Sequence, residues 1–287
     1  MTAYTQASSN RLKTWFIMLF FGLFLSALAY IFTTALGYSG PSALSFSGFA
    51  LIFAGIMNFI TYYNSDKMVM AISGAKQIHK KDSPELFRIV ENLSIASGLP
   101  MPKVYIIDDT APNAFATGRD PKHAAIAFTT GILQKLNKLE LEGVAAHELS
   151  HVGNFDTRLM TVVSILVGTV ALLADFFFRM SWHASSDDSD SKGNMIFMVI
   201  GLVMALLAPL IATLIQLSIS RKRELLADAS GALLTRHPDG LADALLKIAG
   251  DKEPLEVANK ATAHMYIINP LKNHHDAIGW FSGLFNT

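Results

Sequence analysis

Apolar residues gather in four long runs, Trp15–Thr34, Leu44–Tyr63, Met160–Phe178 and Met195–Ile219. A helix of about 20 apolar residues crosses about 30 Å of hydrocarbon, so each run predicts a transmembrane helix. The first run is free of charge, the second contains Asn58, the third meets Asp175 near its end, and the fourth contains Pro209 and Gln216. Buried helices of a large soluble core give similar runs, but four of them are too many for a chain of 287 residues. The first run is longer than the roughly 7–15 apolar residues of a secretory signal, and a second span follows after a short turn. It is therefore expected to stay as an anchor.

Between the second and third runs the pattern becomes shorter and mixed. Ser83-Pro84-Glu85 is a helix start, with a capping hydroxyl and a proline in the first turn. That helix is expected to end near Gly98, before Pro100. Lys103–Asp108, Asn113–Gly118 and Ala124–Thr130 predict three strands of a small sheet. Asn137 and Glu140 have capping-box spacing, opening a helix whose apolar set is Leu141, Val144, Ala145, Leu149 and Val152. After the fourth run, helices are expected over Ala227–Leu234, Leu241–Ile248 and Pro254–His264. The predicted fold class is α+β: a mostly helical integral membrane protein with four transmembrane helices, a small sheet and one buried helix beside it.

Composition agrees with spans alternating with folded parts. Hydrophobic residues make up 51% of the chain and charged residues only 16%, against roughly 25% charged in ordinary soluble domains. The charge lies mostly between Asn64 and Arg158 and after Ser220. Lysine and arginine set the orientation. Arg11 and Lys13 precede the first span, none lies between Ala35 and Ala43, and Lys67, Lys76, Lys80 and Lys81 follow the second. Arg158 precedes the third span, and Arg221, Lys222 and Arg223 follow the fourth. Both termini and the 64–158 segment are thus expected on the cytoplasmic side of a cell membrane. The chain has no cysteine, which excludes disulfides and thiolate ligands. The balanced net charge and the lack of a Gly-rich phosphate loop give no sign of a nucleic-acid partner.

His147-Glu148-Leu149-Ser150-His151 fits HExxH, a zinc-protease pattern. Residues four apart share a helix face, so both imidazoles can reach one ion. Glu148 lies one step round, close enough to act on water without being a ligand. A catalytic zinc takes three protein ligands and an open position. The leading third ligand is Glu224, because two antiparallel spans return the chain to the surface it left before the third run. Asp228 falls one turn later on the same face and can fix a ligand histidine's tautomer.

With these pieces assembled, the sequence resembles the HtpX family of membrane zinc metallopeptidases, relatives of the CAAX prenyl proteases. The residues that carry the resemblance are Pro112-Asn-Ala-Phe-Ala116, EGVAAHELSH ending at His151, RELLADASGA from Arg223, and INPL at Ile268–Leu271. The resemblance implies a zincin-like cytoplasmic part and one Zn²⁺ held by His147, His151 and Glu224, with Glu148 as base. It implies an endopeptidase acting on membrane and misfolded proteins in envelope quality control. The Asn113-Ala114-Phe115-Ala116 strand is then expected to bind an extended substrate by main-chain hydrogen bonds. His264, ahead of the Asn-Pro, becomes the candidate oxyanion donor. In the family the tail usually continues past a Phe-Asn/Ser-Thr stretch into a His-Pro-Pro segment and a closing helix, whereas this sequence stops at Thr287, just at that point.

The expected organisation is an N-terminal transmembrane hairpin at 1–63, the zincin-like part at 64–158, a second transmembrane hairpin at 159–220, and a helical cytoplasmic part at 221–287 supplying the third ligand. Two competing functions remain at this point. One is a prenyl-protein type of protease, which in its family has more spans. The other is a catalytically silent membrane adaptor holding zinc structurally, which would ordinarily show four protein ligands rather than three.

Overall fold

The computed structural model describes residues 3–35, 38–184, 220–256 and 262–268. In chain order the elements are α1 (Ala3–Ala35), α2 (Pro41–Ile72), β1 (Lys76–Ile78), α3 (Pro84–Ser97), β2 (Lys103–Ile107), β3 (Ala114–Gly118), β4 (Ala124–Thr129), α4 (Thr130–Lys135), α5 (Lys138–Gly153), α6 (Asp156–Ala184), α7 (Arg221–Thr235) and α8 (Pro238–Gly250). The third apolar run lies in α6. The fourth, Met195–Ile219, and the Ser185–Ser191 stretch lie outside the described residues.

α1 and α2 run antiparallel, as shown by Asn58 donating to the Met18 carbonyl at 3.2 Å and Ser26 to the Ser47 carbonyl at 2.8 Å. α6 packs on both, burying Leu159, Val162, Val163, Leu166 and Val167 against Ile17, Met18 and Phe21. Leu12–Ile31 and Pro41–Ile72 are long and apolar enough to cross a membrane, with mean hydropathies of 2.0 and 1.9. A soluble core helix of that hydropathy would be mostly buried, yet only 11% of the apolar 18-residue window of α2 is. Phe49, Ile52, Phe53, Ile56 and Phe59 instead stand exposed along it. This is the outward apolar face that a lipid environment covers.

α2 has 32 residues, about 48 Å at 1.5 Å per residue, which exceeds the hydrocarbon thickness. Its helical geometry breaks at Asn64, with φ −113° and ψ 16°. Trp15 and Tyr62 stack just before that break, and the Arg119 guanidinium lies 4.9 Å from the Tyr63 ring centre. Aromatic rings and an arginine at this level are the composition of a membrane–water boundary. Beyond it, Ser65–Ile72 enters the folded part, where Val69 and Met70 are buried and Asp66 pairs with Lys103 at 2.8 Å.

The sheet order is β1-β2-β4-β3, with β2 and β4 parallel and the outer pairs antiparallel. Successive side chains point to opposite faces, and here both faces are covered. Val104, Ala114, Ala116, Ile126 and Phe128 meet α3, α5 and α8, whereas Tyr105, Ile107, Phe115, Ala125 and Ala127 meet the α2 tail and the start of α6. The three expected strands are present. β1 was not expected, because three residues give no readable alternation.

The helix expected over Pro254–His264 is not formed where the structure describes it. Residues 251–255 have no regular structure, and Ala263–Met265 makes a single 3-10 turn. The Glu253 amide turns back onto the Asp251 side chain, and both carboxylates pair with Lys135 at 2.7 and 2.6 Å. An Asx turn followed by Pro254 competes successfully with helix formation. Residues 257–261 of that expectation lie outside the described part.

α5 meets α8 main chain to main chain. A Cβ on Gly143 would stand 2.6 Å from the Leu241 nitrogen. Gly143→Ala should therefore push α8 away and lower stability by about 1–3 kcal/mol. Thermal unfolding in detergent checks this against Gly250→Ala, where an added Cβ meets nothing within 4 Å.

Candidate metal centre

α5 begins as its sequence asks. The Glu140 amide donates to the Asn137 side chain at 3.1 Å, and the Asn137 amide donates back to the Glu140 carboxylate at 2.8 Å. The helix then runs through the middle of the fold, so His147, Glu148 and His151 are only 4%, 2% and 4% exposed. Both imidazoles lie on one face, with their Nε2 atoms 3.1 Å apart.

α7 crosses α5 at this point. It can come close because Gly231 faces the helix: a Cβ there would stand 3.2 Å from the His147 nitrogen. Glu224 Oε2 reaches within 3.7 Å of His147 Nε2 and 3.6 Å of His151 Nε2. Ligand atoms of a tetrahedral zinc with bonds of about 2.05 Å stand roughly 3.3 Å apart. The observed edges of 3.1, 3.6 and 3.7 Å match that triangle.

Each histidine presents its other nitrogen to a carboxylate. His147 Nδ1 lies 2.9 Å from Asp228 Oδ1, a close contact set off the ideal N–H direction. His151 Nδ1 lies 3.1 Å from Asp156 Oδ2. Carboxylates at Nδ1 place the proton there and leave the Nε2 lone pairs facing each other. Two converging lone pairs and a carboxylate oxygen repel one another unless a cation lies between them. These three residues fit a divalent metal by both spacing and chemistry.

The surroundings favour positive charge at this point: burial opposes it on His151, but Glu224 and Asp156 raise the imidazole well above its ordinary range, a demand that a bound cation would meet in place of a proton. Burial likewise works against ionised Glu224, yet His151, His147 and Arg223 bring it down to about 2. Glu148 behaves oppositely: burial pushes it above the usual carboxylate range, against the pull of His147 and His151. Glu224 is thus held as an anion, while Glu148 is inclined to accept a proton.

Asp156 is the residue that sequence reasoning missed. α5 ends at Gly153, Phe155 takes a left-handed φ of 59°, and Asp156 opens α6. That reversal folds Asp156 back onto His151, from a spacing of five that no single helix would bring together. The available signal was an acidic residue at the mouth of an apolar run. Arg223, which the sequence offered only as an orientation signal after the fourth run, is 2% exposed, and its Nε lies 3.7 Å from Asp156 Oδ1.

Asn113, Ala114, Phe115 and Ala116 are all buried, and the outer edge of β3 is largely engaged by the chain itself. Phe115 and Asn113 turn their main-chain groups toward β4; Ala114, Ala116 and Gly118 turn theirs outward. The Ala114 carbonyl accepts from the Ile267 amide at 2.9 Å, and the Asn113 side chain donates to the Ile268 carbonyl at 2.9 Å. The Ala116 amide donates to Glu148, and the Gly118 amide to Thr161 at 3.1 Å. The Ala116 carbonyl is directed outward beside Glu148. His264 lies in the 3-10 turn before Ile267, and its side chain is outside the described residues.

Residues 80–287 match Peptidase family M48. The chain belongs to the HtpX branch of this family. A protease HtpX homolog of Dictyoglomus thermophilum is 42% identical over 286 residues, covering 100% of this chain and 90% of the relative. One from Tropheryma whipplei is 48% identical over 241 residues, covering 83% and 80%. One from Lactobacillus helveticus is 44% identical over 284 residues, covering 94% and 92%. As an M48 peptidase of the HtpX type the chain is a metalloprotease, a hydrolase. The family match takes in β2, β3, β4, α5 and α7, and therefore all the residues of the centre. Membership also fits the two membrane-length helices that stand before most of that match.

Proposed function

We propose that the chain is a zinc-dependent membrane endopeptidase that hydrolyses membrane and misfolded proteins at the cytoplasmic face, as part of envelope quality control. The observation that carries this reading is the convergence of His147 Nε2, His151 Nε2 and Glu224 Oε2, all within 4.8 Å of one another, with Glu148 alongside. Three protein ligands leave one position open, as in catalytic rather than structural zinc sites. Bound there, zinc lowers the pKa of water toward about 7 and polarises a peptide carbonyl. Glu148 takes the proton of the attacking water and passes it to the leaving amine, a transfer its raised proton affinity favours. The outward Ala116 carbonyl accepts a hydrogen bond from the substrate main chain next to the scissile bond. A single main-chain contact reads no side chain, which suits broad sequence specificity. His264 remains the candidate donor to the developing oxyanion.

In this reading four spans carry the chain from inside to outside twice, with both termini and the metal centre cytoplasmic. The lysine and arginine distribution supports it, as does the aromatic boundary at Trp15, Tyr62 and Tyr63, which lies on the same side of the spans as the sheet. The first test is chemical. A chelator should abolish cleavage of a membrane substrate by the detergent-solubilised protein, and stoichiometric zinc should restore it. Cleavage that survives complete metal removal would end the zinc reading. The second test uses the absence of native cysteine. Single cysteines at the exposed positions Ser39 and Lys81 should differ: Ser39→Cys labels from outside intact cells, and Lys81→Cys labels only after permeabilisation. External labelling at Lys81 would invert the topology.

A further inference from the structure

We propose that Asn10 is a positioning residue for the metal centre: through Asp156 it sets the orientation of His151, so that the N-terminal membrane helix holds part of the site's geometry. This rests on the zinc reading above. Asn10 is fully buried, and its Nδ2 lies 2.8 Å from Asp156 Oδ1, across 146 positions of sequence. The other Asp156 oxygen faces His151 Nδ1 at 3.1 Å. Asp156 itself is 0% exposed. An ionised carboxylate only accepts hydrogen bonds, so the amide NH₂, not its oxygen, must face it.

A buried carboxylate needs a donor at each oxygen. With Asn10 on one and His151 on the other, rotation of the Asp156 carboxylate is arrested, and with it the plane of the His151 ring. Arg223 Nε stands 3.7 Å from Oδ1, within ion-pair reach but beyond hydrogen-bond length. α1 does not need Asn10 merely to dock. Ile17, Met18 and Phe21 already pack it on α6. Asn10 adds a polar contact where the start of α6 meets His151.

The test is metal affinity and cobalt spectroscopy on the full-length protein in detergent, with wild type and His147→Ala as references. Asn10→Ala should weaken zinc binding about tenfold, the lower end of what loss of an outer hydrogen-bond partner costs. It should also shift the d–d bands of the cobalt-substituted protein. Asn10→Asp should be worse than Asn10→Ala, because it sets a second carboxylate against Asp156. In an Asp156→Ala background, Asn10→Ala should change zinc affinity less than twofold. Thr14→Val, one turn along α1 and donating to the Asn10 carbonyl at 2.8 Å, should leave affinity and bands unchanged. Should Asn10→Ala fail to accumulate, Asn10→Ser carries the same comparison. A variant that lowers thermal stability yet keeps wild-type affinity and cobalt bands would overturn the proposal. So would independent effects of Asn10→Ala and Asp156→Ala in the double variant. Wild type that takes up no more zinc than His147→Ala would overturn the zinc reading as well, which distinguishes the two failures.

Discussion

Glu148→Gln is expected to fold, keep its zinc and lose cleavage by about 10²–10⁴-fold, the usual worth of a general acid–base group. The amide is isosteric with the carboxylate and can still accept the Ala116 N–H that now bonds Glu148. It cannot take a proton from water. Because Glu148 is not among the three converging ligands, metal content should match wild type. Metal analysis beside a cleavage assay reads both quantities from one preparation. Loss of metal in proportion to activity would make Glu148 a ligand and remove it from the role of base.

The second large effect concerns the ligand and the two carboxylates behind the histidines. Glu224→Ala removes one of three atoms of the metal triangle and should strip most of the zinc. Asp228→Asn and Asp156→Asn leave the triangle intact and should weaken binding by about 10–100-fold. The structure also orders that pair. The Asp228 side chain is 36% exposed and meets His147 Nδ1 off the hydrogen-bond direction, so less is lost with it. Asp156 is sealed from solvent and touches Asn10 as well as His151. Asp156→Asn should therefore be the more damaging of the two. Equilibrium competition with a chromogenic chelator gives the ranking: Glu224→Ala worst, then Asp156→Asn, then Asp228→Asn. Wild-type affinity in Glu224→Ala would move the third ligand elsewhere.

How much of this could be read from sequence depended on the range of the interaction. Local patterns served well. The capping box at Asn137, the left-handed Gly98 that ends α3, and the strands around Val104 and Ile126 follow from neighbours within one or two turns. The Glu224–Asp228 pair was reachable because both lie on one helix face and the hairpin argument brought that face to the histidines. What failed was non-local. α2 was read as ending at Tyr63, where the apolar run stops, but it continues to Ile72 on contacts with the sheet that no run of hydropathy encodes. Asp156 and Asn10 carry no mark in the sequence beyond their places at the borders of apolar runs. Their meaning appears only when three helices meet. The capping role expected of the Ser83 side chain is not seen either; Pro84 starts α3 without it.

Asp156 is where the chain's beginning, middle and end come together: Asn10 from α1, His151 from α5 and Arg223 beside Glu224 on α7. A ribosome delivers these parts in that order, and the carboxylate that completes the metal triangle arrives last. A growing chain thus possesses HExxH well before it possesses a full coordination set. Two imidazoles alone hold an ion weakly, and their orientation waits on neighbours not yet made.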